Sequence, residues 1–332
     1  MKELKHNKLE LQGNAHKVFI EKFQVPEAAY GVIGRLFTPE EIDFVSRIEA
    51  ERFQLEEMRA IGVANPEQFA ESAYRRGVIS LADEAAKVYR ISDFYSRLDI
   101  FSISEVESYH EIPEQERLRL DEWYFETYYQ SLSQDPKQAP TEDEVLPLDE
   151  VIAFIDRQNR PVYLNLCDCR SLRGGCGQPV KTCITYKDGI NSFAHRGLSE
   201  KIDKDQAKKV VMEADKAGLV HTINPNGICN CCGDCCYLFR GQKKRNSIGL
   251  WPKSSYLIEL DHTKCIGCGK CIRRCSFSVF SFDGGADNLE PISEKTEPIK
   301  KQKTLRLDTS ACIGCGICVT GCPAAALTLK GR

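Results

Sequence analysis

Between residues 17 and 130 the chain sets short apolar stripes among charged positions at helical spacing, and it has no cysteine there. Val25, Ala28, Ala29, Val32, Ile33 and Leu36 recur at three- and four-residue intervals and predict an amphipathic helix. Thr38-Pro39-Glu40-Glu41 opens another. Thr at the N-cap can accept from an unpaired amide, Pro suits the first turn, and Glu three residues after the cap can reach back to the cap amide. Asn65-Pro66-Glu67-Gln68 repeats that signal, and Gly77 ends the short helix that follows. Val78–Leu81 and Lys87–Ile91 read as two strands of a hairpin. Helix, helix, helix, hairpin is the order of a winged helix-turn-helix.

Ser131 to Pro147 is polar and acidic, carries Pro136, Pro140 and Pro147, and reads as a linker. Beyond it, Leu148, Val151, Ile152 and Ile155 mark a helix, and Pro161–Leu166 reads as a buried strand ending at Cys167. Ala207, Val210, Val211, Ala214 and Ala217 make a second amphipathic helix closed by Gly218, and Leu219–Ile223 is a strand leading to Cys229. The cysteines are thus expected just beyond strand ends, on loops of a small α/β scaffold. From about residue 250 the pattern repeats. Leu257-Ile258-Glu259-Leu260-Asp261 precedes Cys265, and Leu305-Arg306-Leu307-Asp308 precedes Cys312. Strand, cysteine loop, short helix and strand occur twice, which implies a pseudo-twofold unit, with a polar insert from Asp283 to Thr304 between the copies.

Composition changes the picture at one residue type. The chain has seventeen cysteines, all after residue 160. A secreted disulfide scaffold would be short and evenly stapled, and this chain is neither. Met1 to Phe23 is charged without an apolar core, so no secretory signal is read there, and no run approaches the ~20 apolar residues of a membrane span. The expectation is a cytoplasmic, reducing and anaerobic setting in which the thiolates are metal ligands. A net charge of −3 weighs against a nucleic-acid partner. Glu67, Glu71, Arg75 and Arg76 cancel on the third helix, so the N-terminal domain reads as a protein-docking or structural domain before a DNA-binding one.

Two runs share one spacing: Cys265-x2-Cys268-x2-Cys271-x3-Cys275 and Cys312-x2-Cys315-x2-Cys318-x3-Cys322-Pro323. Thiolates two residues apart can wrap one face of a cubane, and Gly267, Gly269, Gly314 and Gly316 let the backbone pass close to it. Paired zinc sites are the alternative, but zinc favours C-x2-C pairs separated by longer loops. The spacing resembles the bacterial two-cluster ferredoxins. That resemblance covers about the last 80 residues. It implies that Cys265, Cys268, Cys271 and Cys322 hold one [4Fe–4S] cluster, and that Cys312, Cys315, Cys318 and Cys275 hold the other. The chain departs from the family where Ser276, in place of Pro, follows Cys275, and in the length of its insert.

Nine more cysteines precede this module: Cys167, Cys169, Cys176 and Cys183, then Cys229, Cys231, Cys232, Cys235 and Cys236. The C-x-C-R run at Cys167 and the C-N-C-C run at Cys229 resemble, in layout, a group of 4Fe–4S ferredoxin-like proteins of anaerobes. Three readings stand for them: one or more additional Fe–S clusters, a structural zinc, or reactive thiols with Arg170 lowering a thiolate pKa or gripping an anion. Arg170 could equally tune a cluster or form an ordinary ion pair. His221 could ligate a metal but reads better as a partly exposed structural histidine, as do His195 and His262. Trp123, Tyr124, Phe125, Tyr128 and Tyr129 read as a helix packing face.

No G-x-G-x-x-G follows a strand and no phosphate-binding G-x4-G-K-[ST] loop occurs. The pattern as a whole predicts an α+β multidomain protein. Its parts are a winged-helix-like domain at 17–130, a linker at 131–147, a cysteine-rich α/β domain at 148–245 and a ferredoxin-like dicluster domain at 255–332. The expected function is iron–sulfur electron transfer, alone or as a subunit of an anaerobic oxidoreductase, with a redox protein as partner: a ferredoxin, a flavoprotein or a reductase subunit. A reductase with a catalytic Fe–S site in the middle domain and an Fe–S redox-sensing DNA-binding regulator are the alternatives.

Overall fold

A computed structural model of the chain describes residues 14–135, 137–283 and 304–332. The readings of residues 1–13 within the N-terminal stretch, of Pro136, and of the insert inside its end residues Asp283 and Thr304 lie outside the described residues. Contacts divide the chain into two compact units. One is Met1–Ser131, Pro161–Gly175 and Thr185–Ile202; the other is Leu132–Arg160, Cys176–Ile184 and Asp203–Arg332.

The first unit is mostly helical. Helix Pro39–Arg47 begins with the capping box that its sequence announces: Glu41 N donates to Thr38 Oγ1 (3.2 Å), and Thr38 N donates to Glu41 Oε2 (2.8 Å). Helices Leu55–Ala60 and Pro66–Arg75 follow, the latter capped by Asn65. Strands Ile79–Asp83 and Val88–Ile91 pair antiparallel as a hairpin. Gly77 turns the chain between helix and hairpin at φ +76°, where a side chain would be strained and its Cβ, 2.5 Å from Ile100 Cδ1, would displace Ile100. The helix expected from Val25 to Leu36 is broken instead into a 3-10 turn, Glu27–Val32, and one α turn, Ile33–Leu36. Pro26 starts the turn, and glycines at 31 and 34 remove the propensity to run on.

Arg97, fully buried on helix Phe94–Ser104, holds this unit together. It donates to the carbonyls of Leu36 and Arg76 and to Glu105. Arg76 in turn pairs with Glu41 and Glu105, so four charges neutralise one another. The aromatic run does pack: Trp123 lies against Phe94 at 5.2 Å, and Tyr124 stacks on Tyr95 at 3.9 Å. His195 bridges Tyr74 (2.6 Å) and Glu84 (2.9 Å). Strand Val162–Leu166 pairs antiparallel with Glu200–Ile202, and helix Asp168–Arg173 follows the first of these.

In the second unit, strands Lys181–Thr185, Gly227–Cys231, Val220–Asn224, Glu144–Val145 and Lys253–Ser254 lie side by side in that order. Helices Leu148–Arg157 and Lys204–Lys216 bury Val151, Ile155, Ala207, Val211 and Ala214. Residues on both sides of Pro136 are tied along this unit: Arg245 donates to the carbonyls of Ser133 and Asp135, and the indole of buried Trp251 donates to Thr141. The C-terminal repeat pairs across its copies. Tyr256–Leu260 runs antiparallel to Leu327–Gly331, and Phe280–Phe282 to Leu305–Leu307. Each copy thus supplies an edge to the other, so neither closes its sheet alone. The same turn precedes each cysteine loop: Asp261 accepts from Thr263 N and Asp308 accepts from Ser310 N, both at 2.9 Å.

Candidate metal centres

Two sets of four thiols form at the C-terminal repeat. Cys265, Cys268, Cys271 and Cys322 line one cavity, closed on its apolar side by Leu260, Leu305, Ala326 and Leu327. Three come from the first copy and one from the second, brought in because helix Ile317–Thr320 is followed by a strand that pairs with the first copy. Cys275, Cys312, Cys315 and Cys318 act on one another electrostatically in the same way. The interior location pushes the Cys271 thiol up to about 11 and Cys315 up to about 12, because burial penalises the bare thiolate. A cation drawn into each set would remove that penalty and release the protons.

A glycine lets two backbone segments pass close together beside the second set. Gly314 has φ +65°, and a Cβ there would sit 2.1 Å from the Tyr256 carbonyl oxygen. Gly314 N points at Cys312 Sγ and Ala326 N at Cys322 Sγ, both 3.4 Å, so amide dipoles face the sulfurs. Thiol number, softness, apolar lining and amide donors all suit a [4Fe–4S] group in each set.

Upstream, Cys176, Cys232 and Cys235 converge, with their sulfurs within 4.8 Å of one another. They are walled by Ala214, Ala217 and Leu219, an apolar setting for soft ligands. Within the triad the thiols are polarised: Cys232 is brought down to about 5 by the Cys235 thiol and then by the amides of Cys235 and Asp234, while Cys235 is pushed up. Cys229, Cys231 and Cys236 make a separate group, in which Cys231 is raised by its contacts with the other two. Cys183 is half-buried on the neighbouring strand Lys181–Thr185.

The expected loop placement is corrected here. Cys183, Cys229 and Cys231 lie within strands, not beyond them. In Gly227–Cys231 the alternation puts Cys229 and Cys231 on one face and Asn230 on the other. Asn230 faces His221, its partner in the register, and accepts from His221 Nδ1 at 2.6 Å. His221 is therefore fully buried, not partly exposed, and its Nε2 lies 3.8 Å from Asp215. His262 is exposed. In the first unit Cys167, at the start of helix Asp168–Arg173, groups with Asp168 and Cys169, and Arg170 on that helix is 3% exposed.

Two contacts that the spacing did not reveal join the triad to the repeat. Gly233, inside the Cys232–Cys235 loop, meets Ser276: a Cβ on Gly233 would stand 2.5 Å from Ser276 Cβ. Ser276 is the residue that departs from the ferredoxin pattern, and its small side chain is what this approach accommodates. Arg274 donates to the carbonyls of Asp215, Lys216 and Ile317 and to the Asp215 carboxylate. It thereby caps the C-terminus of helix Lys204–Lys216, where a cation is favoured. Among sequence signals, only the Arg273-Arg274 pair just before Cys275 could have drawn attention to it.

Residues 264–326 match the family model described as a 4Fe-4S dicluster domain. No curated protein matches the chain. No helix among the described residues is long and apolar enough to cross a membrane. The match assigns this stretch of the chain to iron–sulfur chemistry of the electron-transfer kind.

Proposed function

We propose that this chain is an iron–sulfur electron-transfer protein, or the electron-transfer subunit of an oxidoreductase, working with a redox protein in the cytoplasm. The observation that carries the reading is the cavity shared by Cys265, Cys268, Cys271 and Cys322 within the matched stretch. These four would hold one [4Fe–4S] group, and Cys275, Cys312, Cys315 and Cys318 the other. Each group, when bound, supplies reversible one-electron chemistry at low potential. The residues of the chain do the rest. Cys275 and Cys322 lock the two halves of the repeat together, the apolar wall excludes water, and Gly314 and Ala326 aim amides at the ligand sulfurs. Cys176, Cys232 and Cys235 would hold a further metal or Fe–S group beside the Cys275–Ser276 segment.

The winged-helix-like order of the N-terminal helices supports a docking role. Helix Pro66–Arg75 exposes Glu67 and Glu71 against Arg75, an unsuitable face for phosphates. The triad brings together three thiols, one short of a closed four-thiolate shell. That favours a second reading, in which this site keeps an open position for a small substrate and the chain is itself a reductase.

The ligand exchange is tested by electron paramagnetic resonance of the dithionite-reduced protein. Cys322→Ser should perturb the same signal as Cys265→Ser, and Cys275→Ser the same signal as Cys312→Ser. Grouping of Cys322→Ser with Cys312→Ser would refute the assignment.

A further inference from the structure

The first unit contains a cavity of about 460 Å³, well away in character from the thiol sites: its walls are polar. It is built where the hairpin, the start of helix Phe94–Ser104 and the 191–196 loop meet. Its volume falls in the range of small-molecule sites. Arg196, Arg90, Lys22, Ser80, Asn191 and Tyr95 are among its lining residues.

Arg196 is the informative residue. It is 5% exposed, and a guanidinium stays charged in any protein setting. Its hydrogen bonds are all to neutral groups. Nε donates to the Asn191 carbonyl (3.2 Å), Nη1 to the carbonyls of Ile79 (3.1 Å) and Tyr74, and Nη2 to Ser80 Oγ (3.1 Å) and Asn191 Oδ1 (3.5 Å). Its face lies over the Tyr74 ring at 4.3 Å. Among the described residues it makes no ion pair, so the charge is buried without a counter-ion. Burial pushes its pKa down, the direction expected of a cation lacking an acidic neighbour. Buried charges are ordinarily paired, as Arg97 is in this same unit.

The rest of the lining adds positive charge. Arg90 is exposed at the cavity, and Lys22 lines it with its ammonium held by the carbonyls of Ser46 (3.2 Å) and Ile48 (2.6 Å). Of the two lining carboxylates, Asp93 is committed to capping its helix by accepting from Ser96 N at 2.7 Å, and burial, with Asp168 and Cys167 nearby, pushes the Asp99 carboxyl up toward its neutral form. The remaining wall offers neutral donors and acceptors, including the Ser80–Ser92 hydroxyl pair at 2.6 Å.

We propose that this cavity binds a small oxyanion-bearing molecule, a carboxylate or a phosphate, whose charge neutralises Arg196 and whose outer end is met by Arg90. With its five N–H donors held by neutral acceptors, Arg196 attracts the anion through its uncompensated charge, and the exposed Arg90 guanidinium offers the planar fork matched to either oxyanion. The Asp99 wall of the cavity is electrostatically close to Cys167 and Asp168, so the bound molecule would sit beside the C-x-C-R segment. The proposal stands independently of how the C-terminal thiols are loaded.

The test is calorimetric titration of the full chain, purified anaerobically, with citrate in one arm and inorganic phosphate in the other, alongside thermal unfolding. Citrate binding identifies a carboxylate site, phosphate binding a phosphate site, and binding of both the shared oxyanion chemistry. Arg90→Gln, at an exposed position, should leave the unfolding midpoint of the unliganded protein unchanged and weaken binding at least about tenfold. Arg196→Gln should abolish binding, and because Arg196 also ties Tyr74, Ile79 and Asn191, Arg90→Gln keeps the test decisive if that variant unfolds. Absence of binding by both anions at about 10 mM overturns the proposal. So does binding of equal strength by wild type and Arg90→Gln.

Discussion

Arg274→Ala should detach the dicluster repeat from the helix it caps. The native side chain is 20% exposed and its partner Asp215 is 6% exposed, so the pair is largely out of water. The substitution deletes donors to the carbonyls of Asp215, Lys216 and Ile317 and leaves the Asp215 carboxylate, among the described residues, with Thr320 Oγ1 at 2.8 Å as its remaining hydrogen-bond donor. Removing one member of a buried charge pair costs about 3–5 kcal/mol, and discounting for the partial exposure of Arg274 gives about 3 kcal/mol. Anaerobic urea unfolding, followed by visible absorbance and by far-ultraviolet circular dichroism, would read this as a lower midpoint in both signals. Arg274→Lys should recover only part of the loss, because a single ammonium cannot span carbonyls that a guanidinium fork reaches together. A loss below about 1 kcal/mol, or full recovery by lysine, would refute the reasoning.

Gly233→Ala should force the Cys232–Cys235 loop off Ser276, since the added carbon would lie 2.5 Å from Ser276 Cβ and 2.8 Å from its carbonyl oxygen; metal analysis should show loss at the triad with the dicluster signals retained. Arg97→Met should destabilise the first unit by about 3–5 kcal/mol, because Glu105 and Glu41 then share Arg76 alone, and chemical denaturation would measure it. Gly77→Ala should cost at least about 1 kcal/mol from the positive φ together with the Ile100 contact, read as a drop in the thermal midpoint.

What could be read from the sequence was what is local. Thr38 and Glu41 sit three residues apart, so the capping box needs nothing beyond its own turn. The repeated apolar-x-Leu-Asp ahead of Cys265 and Cys312, Ile258 to Asp261 and Leu305 to Asp308, encodes both the strand and the Asp turn, and each appears in both copies. The burial of His221 was not readable, because it depends on Asn230 lying opposite in strand register. The C-N-C run carried a usable signal: a period of two with a polar centre is strand alternation, which places Cys229 and Cys231 on one face. The Arg196 cavity left no trace in the sequence, since it is assembled from segments far apart in the chain and none of its residues belongs to a motif.

The most direct test of the account is iron, sulfide and zinc per chain after anaerobic purification, with electron paramagnetic resonance of the dithionite-reduced protein. About eight iron atoms are expected at the C-terminal thiols, with two interacting [4Fe–4S] signals, and further iron or zinc at the Cys176–Cys232–Cys235 triad. Zinc without sulfide, or about four iron atoms or fewer, would contradict it.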